Sequence, residues 1–262
     1  MTYTSMRIDR EGGLARLTFI QPARGNPIDG TFCAEFCDVA NELSSDPTVR
    51  AVLISAEGKA FSYGGDIAMF VSQLDSLPLQ IKRWTADLHV GIARMQRMDA
   101  PIVAAVQGIC AGGMAGMIAG ADIIVAEPGT RFVAAYAGIG YCCDASSSIM
   151  LSRRMGLSRA RKYLLLNETL DAQTALAAGL ADEIVEADTL AARAEAIAQQ
   201  LANGPTQAYG EIRRLLVSAA TTPLDAQLEL EAQALARVAG TADAREGLTA
   251  FAAKRKAAFT GQ

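Results

Sequence analysis

Hydrophobic and polar positions alternate near the start of the chain, over residues 6–10 and again over residues 14–20. Alternation with a period of two is typical of a strand that buries one face. The Gly12-Gly13 pair between the two runs therefore predicts a β-hairpin. Pro22 ends the second run, and the chain beyond it predicts a helix over residues 29–43.

Two apolar runs later in the chain share one pattern. Residues 49–56 and 102–106 are rich in Val, Ile and Ala, which predicts buried strands. Gly64-Gly65 follow the first run, and a glycine-rich segment over residues 108–116 follows the second. Each glycine segment leads directly into a predicted helix, so the order strand, glycine turn, helix occurs twice.

Glycines at such turns let a ligand approach main-chain N–H groups without a Cβ atom in the way. The start of the following helix adds partial positive charge beside them. Each turn is therefore a candidate site for an anion or a developing oxyanion. A helix crossing lined with glycine is the structural alternative.

The rest of the chain is mainly helical. Residues 78–98 form a predicted amphipathic helix that carries Trp84, Leu88 and His89, and residues 131–136 predict a short strand. Gly156 is predicted to end a helix, and Ser158 to cap the start of the next one. The other predicted helices cover residues 146–155, 172–179 and 189–201.

From Thr206 onward, Ala, Leu, Glu and Arg recur at helical spacing. Helices that do not fold onto the sheet must bury their apolar faces elsewhere, and we expect a partner subunit to cover them. The chain is thus predicted to divide into a core domain, residues 1–200, and a helical region for oligomerisation, residues 201–262.

Composition and charge exclude several classes of function. The 262 residues suffice for a large core, and a net charge of −4 without a basic cluster argues against nucleic acid as a partner. We expect a cytoplasmic protein with no membrane contact, since no apolar run reaches a membrane span and residues 1–6 lack the pattern of a secretory signal. Five cysteines without paired ligand spacing and a single histidine predict neither a disulfide nor a metal site.

Several segments together resemble the crotonase (enoyl-CoA hydratase/isomerase) superfamily. Residues 59–67 read KAFSYGGDI, residues 101–108 read PIVAAVQG, and the segments AGG at 111–113 and ADI at 121–123 follow in the order of that family. Residues 246–256 resemble its C-terminal signature. The resemblance implies an α/β fold, a crotonase-type spiral of ββα units with a C-terminal helical trimerisation region, and hence a homotrimer or a dimer of trimers.

The resemblance also implies the chemistry of the substrate. Members of this superfamily bind acyl-CoA or aroyl-CoA thioesters and polarise the thioester carbonyl with two backbone N–H groups, which match Gly65 and Gly113 here. Coenzyme A is then part of the substrate, and no separate cofactor or metal is expected. Preorganised amides aimed at developing enolate charge are a strong catalytic device.

The pattern departs from the hydratases of the family at two positions. Gly116 and Tyr136 stand where those enzymes carry their two glutamates, and neither side chain serves as a carboxylate acid or base. We therefore do not expect simple hydration of an enoyl-CoA.

Asp144 and His89 are the candidate catalytic side chains. Residues 132–156 and His89 resemble the 4-chlorobenzoyl-CoA dehalogenases of the superfamily, which implies dehalogenase-like or hydrolytic chemistry with Asp144 as nucleophile and His89 as base. An enoyl-CoA or dienoyl-CoA isomerase that uses Asp144 as its base is an alternative, as is a non-catalytic acyl-CoA-binding protein. The structural alternatives are a helix N-cap for Asp144 and a backbone hydrogen bond for His89.

The resemblance further implies an apolar acyl pocket and a set of contacts to CoA. The acyl pocket is predicted from Tyr136, Leu88, Ile67, Trp84 and Met114. The predicted CoA contacts are Arg24, Ser62, Tyr63, Asp66, Phe251 and Lys254, the lysine from a neighbouring subunit if the family trimer forms. An exposed ion pair is the alternative for Arg24 and for Lys254.

Overall fold

A computed structural model describes residues 2–262, which form two β-sheets surrounded by helices. The strands in chain order are β1 (Met6–Glu11), β2 (Leu14–Phe19), β3 (Ala51–Ala56), β4 (Ile102–Val106), β5 (Ile109–Ala111), β6 (Ile123–Ala126), β7 (Arg131–Val133), β8 (Thr169–Asp171) and β9 (Glu183–Ile184). The helices are α1 (Gly30–Ser45), α2 (Ile67–Ser72), α3 (Leu77–Arg97), α4 (Gly113–Ile118), α5 (Ser147–Met155), α6 (Leu157–Leu165), α7 (Ala172–Ala177), α8 (Leu190–Ala202), α9 (Thr206–Ala219), α10 (Leu224–Ala239) and α11 (Ala242–Ala252).

The larger sheet has six strands in the order β1-β2-β3-β4-β6-β9. β1 and β2 form the predicted antiparallel hairpin, in which Met6 lies opposite Phe19 and Glu11 opposite Leu14. All other neighbours in this sheet are parallel. Parallel strands need crossover connections, and helices α1, α3 and α4 supply them between β2 and β6.

Alternate residues of the central strands face two different layers. Val52 and Ile54 of β3 belong to the main core beneath α1 and α3, where Phe32 packs edge-on against Phe19 with ring centroids 5.2 Å apart. Leu53 points to the opposite face and packs in a second cluster with residues of α8. Helices therefore cover both faces, as the continuous apolar run of β3 requires.

The second sheet lies next to the candidate site residues, because β5 leads into Gly112-Gly113 and β7 leads to Tyr136. It also corrects one prediction. Its order is β5-β7-β8, with β5 parallel to β7 and β7 antiparallel to β8. We predicted a direct turn from β4 into a helix, whereas the three-residue strand β5 lies between them. Gly108 and Gly112, both at φ +56°, turn the chain before and after it.

Two further local predictions were wrong. Ser158 does not cap a helix, since α6 begins at Leu157 and Gly156 precedes it without a side-chain cap. The predicted strand over residues 131–136 ends at Val133, and Ala135 adopts a left-handed φ of +58°. The end of α5 at Gly156 and the helical tail after Thr206 are confirmed. Within residues 2–262 no helix combines the length and the apolar character that crossing a membrane requires.

Candidate active site

The two glycine turns predicted from the sequence run side by side. Ser62 and Cys110 form a parallel bridge, in which the Ser62 amide donates to the carbonyl of Ile109 at 2.9 Å and the Ala111 amide donates to the carbonyl of Ser62 at 3.0 Å. Beyond this bridge both turns reach the same cavity, which Gly65 and Gly113 line.

The approach between the turns is close enough to require glycine. Gly64 has φ +85°, and a Cβ atom placed on it would lie 2.9 Å from the carbonyl oxygen of Ala111. In the described part of the chain, the amides of Gly65 and Gly113 donate to no other protein group. Two main-chain donors without an internal partner therefore line the same cavity.

Asp144 lies directly beside the second turn. A Cβ atom on Gly113 would be 3.4 Å from its Oδ1 atom. The hydroxyl of Tyr136 donates to the same Oδ1 at 2.7 Å and lies 3.2 Å from the hydroxyl of Ser147. Burial and the neighbouring carboxylate of Asp144 raise the pKa of Tyr136 well above its usual value. The phenol therefore stays protonated and remains a donor to the carboxylate.

The backbone on both sides of this pair is strained. Ala135, which precedes Tyr136, has φ +58°, and Ala145 and Ser146, which follow Asp144, have φ +48° and +66°. Non-glycine residues in this region cost free energy and often mark functional sites. Ser146 holds the N-cap position of α5 without a side-chain cap bond, so the Asp144 carboxylate does not cap this helix.

Ser147 packs directly against Gly116 of α4. A Cβ atom on Gly116 would lie 2.1 Å from the Ser147 hydroxyl and 2.8 Å from its backbone nitrogen. The start of α5 therefore fills the space that a side chain at residue 116 would need. Tyr136, Asp144 and Ser147 thus form one hydrogen-bonded cluster beside Gly116.

His89 lies at the edge of this region and does not line the cavity. It is exposed on α3, and its Nε2 atom accepts a hydrogen bond from the Ala145 amide at 3.3 Å. A ring nitrogen that accepts must carry a free lone pair, so this bond occupies the basic site of the neutral ring. The imidazole contacts the residue next to Asp144 rather than Asp144 itself.

A cavity of about 710 Å³ opens between the glycine turns, α2, α3 and the loop that carries Asp144. Four of the five residues predicted for the acyl pocket line it, namely Ile67, Trp84, Leu88 and Tyr136. Met114 does not, because its side chain is fully buried in the main core.

Sequence reasoning missed several residues of the cavity wall. Phe70 stacks between Trp84 and Tyr141, with ring centroids 6.2 and 6.5 Å away, so three aromatic rings from different elements form one layer. Cys33 and Asn167 also line the cavity. Phe70 follows Gly65 by five residues and Tyr141 precedes Asp144 by three. This short distance along the sequence is the signal from which both aromatic residues could have been predicted.

The predicted CoA contacts occupy three different environments. Tyr63 lines the cavity mouth and is 59% exposed. Ser62 is fully buried, where its hydroxyl donates to the carbonyl of Asn26 at 2.7 Å and accepts from the Gly64 amide at 3.0 Å. The Ser62 hydroxyl therefore holds the backbone of the first glycine turn in place.

Arg24 and Asp66 form an ion pair and do not line the cavity, although Asp66 directly follows Gly65. The Arg24 guanidinium lies 2.6 Å from Asp66 and 2.8 Å from Asp29. Asp66 also caps α2 by accepting from the Met69 amide at 2.9 Å, and this bond and Arg24 lower the pKa of its carboxyl.

Phe251 and Lys254 are exposed at the C-terminal end and do not line the cavity of their own chain. Across residues 2–262, no group of three or more His, Cys, Asp or Glu side chains is arranged to hold a metal ion.

Comparisons with known proteins agree with this architecture. Residues 9–262 match the enoyl-CoA hydratase/isomerase family. The chain is 33% identical to 1,2-epoxyphenylacetyl-CoA isomerase of Escherichia coli over 96% of its own length and 97% of that protein. It is 29% identical to 4-chlorobenzoyl coenzyme A dehalogenase-1 of an Arthrobacter species, over 94% and 90% of the two chains.

A solved structure shows the same fold. The crystal structure of a Mycobacterium abscessus protein described as an enoyl-CoA hydratase/isomerase superposes with a TM-score of 0.92, at 34% identity, and covers 98% of this chain and 100% of the other. Family match, overall identity and fold agree over nearly the whole length. The chain therefore belongs to the enoyl-CoA hydratase/isomerase family, within the crotonase superfamily.

Proposed function

We propose that this protein is an acyl-CoA-transforming enzyme that isomerises the acyl group of a CoA thioester, with Asp144 as its single base. One observation carries the proposal. Among the residues that line the cavity, all within the described chain, Asp144 is the only one with an acidic or imidazole side chain, and it lies against Gly113. The similarity to 1,2-epoxyphenylacetyl-CoA isomerase supports the same class of reaction.

The proposed mechanism begins with the thioester oxygen, which accepts hydrogen bonds from the amides of Gly65 and Gly113. These bonds stabilise the enolate that forms when Asp144 takes a proton from the acyl chain, and one such donor contributes about 3–4 kcal/mol. Asp144 then returns the proton to a different carbon, which shifts a double bond without net change in atoms. The Tyr136 hydroxyl holds the carboxylate in place throughout.

Proton exchange in D₂O tests this assignment. Wild-type protein mixed with 3-enoyl-CoA and phenylacetyl-CoA esters should incorporate deuterium at carbon, detected by mass spectrometry, and should isomerise the enoyl ester. Asp144→Asn should lose both activities while still binding the esters, which quench or shift the fluorescence of Trp84, the only tryptophan of the chain. Undiminished exchange in Asp144→Asn would remove this residue from the chemistry.

Dehalogenase-like or hydrolytic chemistry is the second candidate. The similarity to the Arthrobacter dehalogenase favours it, and His89 lies beside the Asp144 loop, where its Nε2 atom accepts from the Ala145 amide. His89 has to release that bond before Nε2 can take a proton from water. In that reaction the Asp144 carboxylate displaces chloride from the ring, and water activated by His89 then cleaves the aryl ester. The exposed position of His89 outside the cavity places this candidate second.

A mass spectrum separates the candidates. With 4-chlorobenzoyl-CoA, His89→Gln should accumulate a covalent aryl ester of Asp144 that still carries the CoA thioester, and should release one equivalent of chloride, if the second candidate holds. No adduct together with deuterium exchange supports the isomerase. Binding of every ester without exchange, isomerisation or chloride release would instead support a non-catalytic acyl-CoA-binding protein.

A further inference from the structure

Asn167 places an unpaired carboxamide on the wall of the cavity. It lies just after the end of α6 and lines the cavity close to Gly138. Its Oδ1 atom is one of two buried side-chain polar atoms without a hydrogen-bond partner in residues 2–262, and the other, the Tyr163 hydroxyl, lies in the core. A buried polar atom without a partner is costly, and such atoms in native proteins call for an explanation.

The carboxamide is fixed in position. A Cβ atom on Gly138 would lie 2.7 Å from Nδ2 of Asn167, so the side chain packs directly on this glycine. The backbone of Asn167 is left-handed, with φ +52°. Asparagine tolerates that conformation, but glycine meets it at lower cost. The backbone alone therefore does not explain a carboxamide at the cavity wall.

Three other polar side chains of the wall have partners within the protein, whereas the hydroxyls of Tyr63 and Tyr141 belong to exposed residues. Tyr136 and Asp144 bond to each other, and the Thr85 hydroxyl donates to the carbonyl of Ile81 at 2.8 Å. The remaining surface is largely aliphatic and aromatic. A few placed polar groups in an apolar cavity are what orients a ligand and gives specificity.

We propose that Asn167 is a specificity-determining residue that hydrogen-bonds a hydroxyl group on the acyl part of the substrate. The Nδ2 end of the amide is absent from the buried unpaired atoms, so it is the end that a ligand reaches. A hydroxyl accepts from Nδ2 or, with the amide turned over, donates to Oδ1, so it matches the carboxamide in either orientation. The substrate class is then an acyl-CoA with a hydroxylated acyl group. This inference rests on the proposed function, because it takes the cavity to be the acyl site.

Matched pairs of esters and one variant test the assignment. The probes are phenylacetyl-CoA with its three ring-hydroxylated isomers, and octanoyl-CoA with 3-hydroxyoctanoyl-CoA, titrated against Trp84 fluorescence. At least one hydroxylated ester should bind wild-type protein about tenfold more tightly than its parent. Asn167→Gly should abolish that preference, so that within the variant the dissociation constants of the hydroxylated and parent esters become about equal.

The variant also separates specificity from folding. Asn167→Gly relieves the left-handed backbone, so its urea midpoint should equal or exceed that of the wild type. No preference for any hydroxylated ester, or a preference that survives in Asn167→Gly, would overturn the role of Asn167 while leaving the proposed function intact. Failure of every CoA ester to bind would instead overturn the proposed function, and the inference with it.

Discussion

The Tyr136–Asp144 hydrogen bond determines how the candidate base is held. Burial keeps the phenol protonated, so the 2.7 Å contact is a hydrogen bond from a neutral donor to a carboxylate oxygen. Such charge-assisted bonds are stronger than neutral ones and fix the direction of the acceptor. Left-handed residues on both sides restrict the backbone as well, so side chain and main chain together orient the carboxylate.

Replacement of Tyr136 by phenylalanine removes this bond and keeps the ring. We expect the rate of deuterium exchange into phenylacetyl-CoA to fall about 10- to 100-fold, because a hydrogen bond to a charged group contributes a free energy of this size. Ester binding should change little. Tyr141→Phe is the matched control, since Tyr141 lines the same cavity and its hydroxyl makes no bond to Asp144. Equal rates in the Tyr136→Phe and wild-type proteins would contradict the orienting role.

Cys33 lines the same cavity without being a nucleophile at neutral pH. Burial, together with the charges of Asp29 and Asp144, raises the pKa of its thiol to about 12. A raised pKa favours the protonated thiol, so at pH 8 only about one thiol in 10⁴ is the reactive thiolate, and reactivity rises only as the pH approaches 12.

N-ethylmaleimide at pH 8 should therefore leave Cys33 unmodified in native protein and label the exposed Cys142. Peptide mass spectrometry reads out both sites, and labelling after denaturation confirms that the Cys33 peptide is detectable. If native Cys33 reacted as fast as Cys142, the buried thiol would have to be accessible and ionised.

Single residues also show where sequence reasoning stops. The glycine pattern identified the two turns, and the family resemblance assigned Gly65 and Gly113 within them. The bridge that brings the turns together joins Ser62 to Cys110, which are far apart in the chain, and no local pattern encodes its register. Leu88 and His89 were both placed in the site. Successive helical residues point about 100° apart, so the burial of Leu88 in the cavity wall turns His89 outward.

At the scale of elements, α4 and α5 pack too closely for any side chain at their crossing. A Cβ atom on Gly116 would lie 2.8 Å from the backbone nitrogen and the Cα atom of Ser147, closer than real Cβ contacts come. Sequence could predict both helices from their composition. It could not predict this contact, because helix packing depends on the tertiary arrangement of β4 and the second sheet.

Gly116→Ala tests the closeness of this packing. Alanine is a better helix former by about 1 kcal/mol, but the clash should outweigh this gain and lower the free energy of unfolding by about 1–3 kcal/mol. Gly240→Ala is the control, since a Cβ atom there meets nothing nearer than 3.4 Å, and we expect a change within about 0.5 kcal/mol. Urea unfolding measures both. If Gly116→Ala changed the free energy of unfolding no more than Gly240→Ala does, α5 would have to move to accommodate the added methyl group at little cost.

At the scale of the whole molecule, the C-terminal helices are anchored at one end and uncovered along their outer faces. Arg213 of α9 is buried, bonds to Asp122 and donates to the carbonyls of Met95 and Met98 at the end of α3. That contact ties the helical tail to the core. Large apolar side chains of the tail remain exposed, among them Leu216, Leu224, Leu228, Leu235, Leu248 and Phe251.

An exposed apolar face of this extent is typical of a subunit interface. We therefore expect the trimer that the family resemblance implies, with a mass of about three times 27.5 kDa by light scattering. Leu235 is 71% exposed on α10, and Leu235→Glu should shift the protein toward monomers, while Leu235→Met, which keeps the apolar surface, should not.

The same variant links assembly to the site. If Lys254 reaches the CoA of a neighbouring subunit, as the resemblance implies, a monomer has lost that cation. Leu235→Glu and Lys254→Gln should then weaken CoA-ester binding to a similar degree in the Trp84 titration, and the double variant should weaken it no further, since both remove one contact. Additive losses would show that Lys254 acts within its own chain or on a different group, and tight binding by the Leu235→Glu monomer would show that each chain carries a complete site.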